Sequence, residues 1–200
     1  MQSIVIALLL VNVVWELHST IRVNSQWIFF SQVSNFIMQS TEQILELLRQ
    51  KGVAFEEYEH EALANVMDRV EKGLCYDAVI CKNLFVATRK KDRVFLVMLR
   101  AEKRADLHGL AHALGTPHLG FAPAELLAQL LHQRPGAVGP LGILRDQGAR
   151  VEVVFDESLR HAPRVAMHPS VNTATVVLAF DELERIIRQN GNRIYYKEFQ

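Results

Sequence analysis

The sequence predicts an α/β (α+β) fold, a mixed β-sheet flanked by helices. Three observations lead there. Apolar runs of strand length and amphipathic runs of helix length interleave from residue 40 onward. Their order lacks the regular rhythm of a doubly wound parallel sheet. The 200 residues are 50% hydrophobic and 22% charged, the balance of an ordinary globular chain large enough to bury its own core.

The first 37 residues stand apart. Residues 4–14 read IVIALLLVNVV, too short for a bilayer span of about 20 residues. Met1-Gln2-Ser3 lacks the basic start of a signal peptide. Both tryptophans, Trp15 and Trp27, fall here, and Met38-Gln39-Ser40 repeats the opening tripeptide. The compact domain is therefore expected over residues 38–200. Residues 1–37 form an extension with three readings: a misplaced start codon, a peripheral strand or helix, or a membrane-facing segment.

From there each element has its own signal. Ser40 and Gln43 stand at capping-box spacing, Ile44, Leu45, Leu47 and Leu48 make one helical face, and Gly52 ends it. Val53 to Tyr58 alternates like a strand, and Ala62 to Val70 reads as a second helix. Asp77 to Thr88 is a long strand candidate, followed by the charged turn Arg89-Lys90-Lys91-Asp92. Val94 to Leu99 is a near-continuous apolar run, as a central strand requires. Asp106 caps a helix through Leu114, and Pro123 at the first position opens Ala124 to Leu131. The stretch 135–142, PGAVGPLG, is dense in glycine and proline and reads as a loop. Short strands follow at Val151–Phe155, Val165–Met167 and Thr173–Leu178, with a turn at His168–Asn172. Asp181 caps a helix over Glu182–Gln189, and Ile194–Tyr196 is the last strand.

Charge narrows the function classes. Twenty-two Lys plus Arg balance twenty-two Asp plus Glu, so the net charge is zero. A histone-like or polybasic nucleic-acid binder is not expected, because such proteins neutralise many phosphates, while a partner with a few localised phosphates stays open. Cys75 and Cys81 fit neither a C-x-x-C redox pair nor a zinc knuckle, and are expected as reduced thiols in a cytoplasmic protein. His108 and His112 are four apart, but Gly109 stands where a zinc protease places its glutamate, so solvated histidines are expected. A nucleophile-elbow serine and a phosphate-binding Walker loop are both missing.

Three segments are odd for their location. Lys82-Asn83 interrupts an apolar strand; taken alone, a strand end or bulge with Lys82 at the surface explains it. Gly136 to Pro140 is a small-residue loop that could bring backbone N–H groups to a ligand, or a plain turn. Met167-His168-Pro169 leads into Asn172-Thr173-Ala174-Thr175, where a histidine is ordinarily structural.

Together these segments resemble the YbaK-like aminoacyl-tRNA editing domains. The residues that carry the likeness are Lys82-Asn83-Leu84-Phe85, the stretch 100–107, Gly136 to Pro140, and 168–175. It spans about residues 41 to 199 and is similar above all to the free-standing deacylases associated with prolyl-tRNA synthetase, which remove alanine from proline tRNA. One departure falls at Glu59-His60-Glu61-Ala62, where many members carry two prolines followed by a Thr-x-Glu-Glu-Ala pattern.

The resemblance implies a trans-editing hydrolase of mischarged tRNA, most directly alanyl-tRNA(Pro), acting on the acceptor end. It implies Lys82 as the essential cation, with Asn83 and His168 assisting. Gly136, Gly139 and Pro140 would hold the aminoacyl moiety and terminal adenosine, and Met167 would limit pocket size. No cofactor or metal is implied, and neither DNA nor a membrane is expected as partner; prolyl-tRNA synthetase is a possible one. Two alternatives remain: a deacylase for another residue such as serine, cysteine or a non-protein amino acid, and a non-catalytic module bound to tRNA or synthetase. Whether Lys82 meets an oxyanion or a phosphate stays open.

Overall fold

A computed structural model describes residues 41–62 and 76–200, all within the second of two compact units, residues 40–200. The expected 1–37 extension, the helix over Ala62–Val70 (but for Ala62), Cys75 and the capping Ser40 lie outside the described residues.

One mixed sheet organises the rest. Its strands are β1 (Phe55–Glu59), β2 (Val79–Ala87), β3 (Val94–Arg100), β4 (Gly120–Phe121), β5 (Val151–Asp156), β6 (Arg164–Met167), β7 (Ala174–Ala179) and β8 (Ile194–Lys197). They lie in the order β1-β7-β6-β2-β3-β5-β8, with β4 attached to β2. β2 runs antiparallel to β3 and parallel to β6, while β5 is parallel to both β3 and β8. β3 sits in the middle, and its residues Val94 to Leu99 are all buried. That is why its sequence is apolar without alternation.

The two faces carry different helices. The helix over residues 41–50 (α1), α3 (Ala124–Leu131) and α4 (Phe180–Gln189) share one core with Cys81, Phe85, Leu96, Phe155 and Met167. Ile44, Leu45 and Leu48 of α1 and Leu183, Ile186 and Ile187 of α4 recur at three and four residues, so one stripe of each helix is buried. Full burial of each such side chain contributes about 1.5–3 kcal/mol. The opposite face packs Leu84, Val86, Phe95, Val97 and Leu99 against Leu110 and Ala111 of α2 (Leu107–Ala113) and its C-cap Leu114. Asp106 caps α2 by accepting the His108 N–H at 3.0 Å.

Several expectations need correction. α4 begins at Phe180, and Ala179 caps it without a side-chain hydrogen bond; Phe180 is needed as a core anchor, so the helix starts before Asp181 can cap it. Pro123 is the N-cap of α3 rather than its first residue. The stretch 135–142 is only partly loop, because Pro140–Arg145 winds into a 3-10 helix whose first four residues are buried. β2 is neither ended nor bulged at Lys82-Asn83, which pair in unbroken register with Leu99 and Met98. Among the described residues no helix is long and apolar enough to cross a membrane.

Candidate active site

The sheet forks along one edge of β2. β3 lines the other edge from Cys81 to Ala87. On the forked edge β6 pairs only with Val79 and Ile80, and β4 only with Val86 and Ala87. The strand between them faces a gap at the carboxyl end of β6. Crevices beyond strand carboxyl ends are where open sheets bind ligands.

Lys82 and Asn83 fall in the stretch of β2 that faces this gap. Val79 lies level with Val165 and Ile80 with Ala166, and the pairing stops there, so Lys82 and His168 each follow two residues after the last paired ones. Alternation along β2 puts Lys82 on the face of Ile80, and Asn83 on the opposite face with Cys81 and Phe85. Met167 belongs to that second face, 0% exposed within the main core. Lys82 and Asn83 therefore face opposite sides of β2, with Asn83 on the side of the core that holds Met167.

Lys82 is half-buried, and its ammonium is held by backbone oxygens. Nζ donates to the carbonyl of Ala101 at 3.0 Å and to that of Lys103. Two of its three N–H groups are thus used, and among the described residues no carboxylate forms an ion pair with it. Burial holds its pKa below the ordinary lysine value, against the pull of Glu102 and helped by Arg104. The result is a fixed positive charge at the fork.

Asn83 reaches the loop after α3. Its Nδ2 donates to the Val138 carbonyl at 3.2 Å, which fixes the amide orientation. Oδ1 is buried with no hydrogen-bond partner, a state shared by side-chain oxygens of Tyr76, Asp156, Ser158 and Tyr196. A buried acceptor left unpaired costs about 1–3 kcal/mol.

The loop itself has two parts. Ala137 N–H donates to the Arg134 carbonyl at 3.1 Å, with Pro135 and Gly136 between them and Gly136 at φ 84°. This is a proline–glycine turn, in which the second central residue must be left-handed. Gly136 is exposed and shapes the turn. Gly139 and Pro140 are buried. A Cβ at Gly139 would collide with the His168 carbonyl, so the loop reaches the end of β6 only with glycine here. His168 Nδ1 lies 3.3 Å from the Ala174 carbonyl oxygen, a contact that favours the Nδ1–H tautomer and leaves the lone pair on Nε2.

Gln133 joins the 136–140 loop to the turn after His168, a role with no signature in the sequence. Only 4% exposed, it donates from Nε2 to the Gly139 carbonyl at 3.0 Å and to Ser170 Oγ at 2.8 Å, and accepts the Gly139 N–H at 3.1 Å. One amide thus ties the 136–140 loop to the turn after His168. A Cβ at Gly142 would strike that amide, which explains a glycine inside the 3-10 helix. A lone glutamine after a helix has no signal of its own, because its partners lie 6 and 37 residues away.

Metal ligation finds no support in the His108 and His112 pair, both exposed on α2. Among the described residues no group of three or more His, Cys, Asp or Glu side chains is placed to hold a metal ion.

Residues 60–186 match the aminoacyl-tRNA editing domain. The chain belongs to that family. It is 34% identical to the prolyl-tRNA editing protein ProX of Acetoanaerobium sticklandii over 155 residues, 78% of this chain and 94% of that protein. It is 31% identical to the prolyl-tRNA synthetase associated domain-containing protein 1 of Danio rerio, covering 72% of this chain and 79% of the relative. A crystal structure of a candidate trans-editing enzyme for prolyl tRNA synthetase superposes with a TM-score of 0.63 at 20% identity, over 80% of this chain and 96% of that one. That likeness establishes the fold. The editing family's mixed sheet flanked by helices is the architecture the sequence predicts.

Proposed function

We propose that this chain is a free-standing aminoacyl-tRNA deacylase that removes alanine from mischarged proline tRNA. The observation that carries the reading is the Lys82 ammonium, fixed by two backbone carbonyls at the fork of an editing-domain sheet. The similarity to ProX points the same way.

The chemistry suits these residues. Water attacks the carbonyl carbon of the aminoacyl ester, and the carbon–oxygen bond to the ribose breaks. The ribose oxygen leaves with a proton, and free amino acid and tRNA result. Charge develops on the carbonyl oxygen in the transition state, and a preplaced cation or N–H donor there is worth about 10²–10³ in rate. Lys82 supplies that cation, with one N–H to spare. His168 assists in positioning the water or the ribose hydroxyl, and the Asn83 Oδ1 accepts from the substrate ammonium or a hydroxyl.

Size discrimination follows from the buried side of the fork. A proline pocket rejects the smaller alanine by only about 1–3 kcal/mol, so a second, smaller pocket is needed. Gly139, Pro140 and Val138 form one wall and Met167 closes the core side. The protein acts in the cytoplasm on tRNA released by prolyl-tRNA synthetase, its expected partner.

The deciding experiment charges proline tRNA with alanine, serine or cysteine and follows ester hydrolysis. Fastest loss of alanine is expected. A faster loss of serine or cysteine reassigns the amino acid, and no loss of any of them removes the deacylase reading.

A further inference from the structure

We infer that the tip of the β2–β3 hairpin, with Phe121 of β4 beside it, is the docking surface for the tRNA acceptor stem. The inference rests on the deacylase reading for its geometry, since Lys82 marks where the esterified end must lie.

The patch is unusual in an otherwise charge-balanced chain. Arg89, Lys90 and Lys91 are consecutive and exposed, and none forms an ion pair with a described residue. The neighbouring charges are occupied: the Asp92 carboxylate accepts from the Thr88 hydroxyl, and Arg93 is committed to Glu152 at 2.7 Å. Lys91 closes the turn, donating its N–H to the Thr88 carbonyl at 2.9 Å, and does so at φ 58°. Glycine or asparagine is the ordinary choice there, and a lysine costs stability. A cation kept at a position that disfavours it points to use of its charge.

Phe121 is the second observation. It is 73% exposed, the one large hydrophobic side chain so exposed among the described residues. With Thr88, Arg89, Lys91 and His118 it lines a cleft of about 510 Å³ that contains no carboxylate. An open aromatic ring flanked by cations is the pattern that binds single-stranded nucleic acid, by base stacking and phosphate contacts.

Its place in the sheet fits the substrate. Phe121 pairs with Val86, so it stands on the same face as Lys82. Four residues of strand separate Val86 from Lys82, about 13 Å, and the turn that carries Arg89 lies further on, past the end of β2 at Ala87. At about 3.4 Å per stacked nucleotide, the first span is about four nucleotides. A tRNA whose terminal adenosine sits at Lys82 thus brings the base of its unpaired 3′ end to Phe121. Its first base-paired phosphates then reach Arg89, Lys90 and Lys91.

The test combines Arg89→Gln, Lys90→Gln and Lys91→Gly, the last of which relieves the left-handed turn and protects the fold. Binding of uncharged proline tRNA is measured between 50 and 200 mM salt, with melting temperature as the check on folding. The triple variant should bind about tenfold more weakly at low salt, with a salt slope reduced by about 2. Phe121→Ala should weaken binding by about tenfold, the scale of one lost base stack. Hydrolysis of alanyl-adenosine, which does not extend to the hairpin, should keep its rate in both variants. A well-folded triple variant with the wild-type affinity and slope overturns the surface, as does equal loss on alanyl-adenosine. Failure of the wild-type chain to cleave either ester would instead refute the deacylase reading, and the tRNA affinities would still decide the surface.

Discussion

Two polar clusters lie at opposite ends of the sheet's hydrogen-bonding logic. In one, Asp146, Asn190 and Asn192 knot the 3-10 helix to β5 and to the turn after α4. Asp146 Oδ2 accepts from Val151 N–H at 2.8 Å and from Asn192 Nδ2 at 2.7 Å. Asn190 Nδ2 donates to the carbonyls of Ile143 and Asp146, and Asn192 Nδ2 to that of Val151. No buried side-chain oxygen or nitrogen of this knot lacks a partner. At the fork, by contrast, the Asn83 Oδ1 is unpaired and the Lys82 ammonium is hydrogen-bonded only to backbone carbonyls. Satisfied polar groups fix a structure, whereas an unpaired one is open to a further partner.

Substitutions should separate the two clusters cleanly, and the largest effect belongs to the fork. Lys82→Ala should lower kcat/KM for mischarged proline tRNA by about 10²-fold or more, the scale of one lost oxyanion donor. Its melting temperature should stay within a few degrees of wild type. Lys82→Arg should also be poor, because a planar guanidinium cannot take the place of a compact ammonium between two carbonyls. Near-normal turnover of the alanine variant would return Lys82 to a structural role.

Asp146→Ala should do the reverse. It strands the Val151 N–H and the Asn192 amide in the interior, at about 1–3 kcal/mol each. A total near 3 kcal/mol lowers the melting temperature by roughly 10 °C for a domain of this size. At a temperature where the variant is folded, kcat and KM should match wild type. A catalytic defect there would show that the knot also shapes the site.

How far the sequence disclosed these two regions differs for a physical reason. β3 could be read from Val94 to Leu99 because burial on both faces leaves a direct mark in the sequence. Lys82-Asn83 was visible as an anomaly, but the fork at that point depends on where β6 and β4 attach, 86 and about 35 residues further on. β4 itself is two residues long and exists only through pairing with β2. The 3-10 helix over Pro140–Arg145 was hidden by its proline and glycine, which suit a tight buried helix as well as a loop. Gln133 and the Asp146 knot left no trace, since a hydrogen-bond network joins residues by contact and not by spacing.

Gln133 lies between the two behaviours and sharpens the contrast. It is fully paired like the knot, yet every partner belongs to the site's loop or to the turn after His168. Gln133→Ala should cost at least about 2 kcal/mol of stability, because it strands the Gly139 N–H, the Gly139 carbonyl and the Ser170 hydroxyl. KM should rise about tenfold with a smaller change in kcat if the 136–140 loop holds the substrate as proposed, because that loop loosens while Lys82 stays in place. Gln133→Glu retains an acceptor for the Gly139 N–H but cannot donate to its carbonyl, so it should recover only part of the loss. A fall in kcat alone would make Gln133 part of the reacting geometry.

The smallest effect is a dependence on pH, and its sign distinguishes the fork's lysine from one in an ordinary ion pair. Burial lowers the folded pKa of Lys82 below its usual 10.5. Between the folded and unfolded values the unfolded chain therefore binds more protons, and stability rises as pH increases through that window. A salt-bridged lysine, with a raised pKa, loses its contribution as pH rises instead. Urea denaturation of wild type and Lys82→Met across pH 8 to 10.5 should reveal the difference as a fraction of a kcal/mol, since the side chain is only half-buried and partly screened. Over the same range, deacylation corrected for spontaneous ester hydrolysis should fall off before the ordinary lysine pKa is reached. A wild-type stability that declines relative to Lys82→Met would mean that the ammonium has a carboxylate partner in solution, and the fork would then resemble the knot.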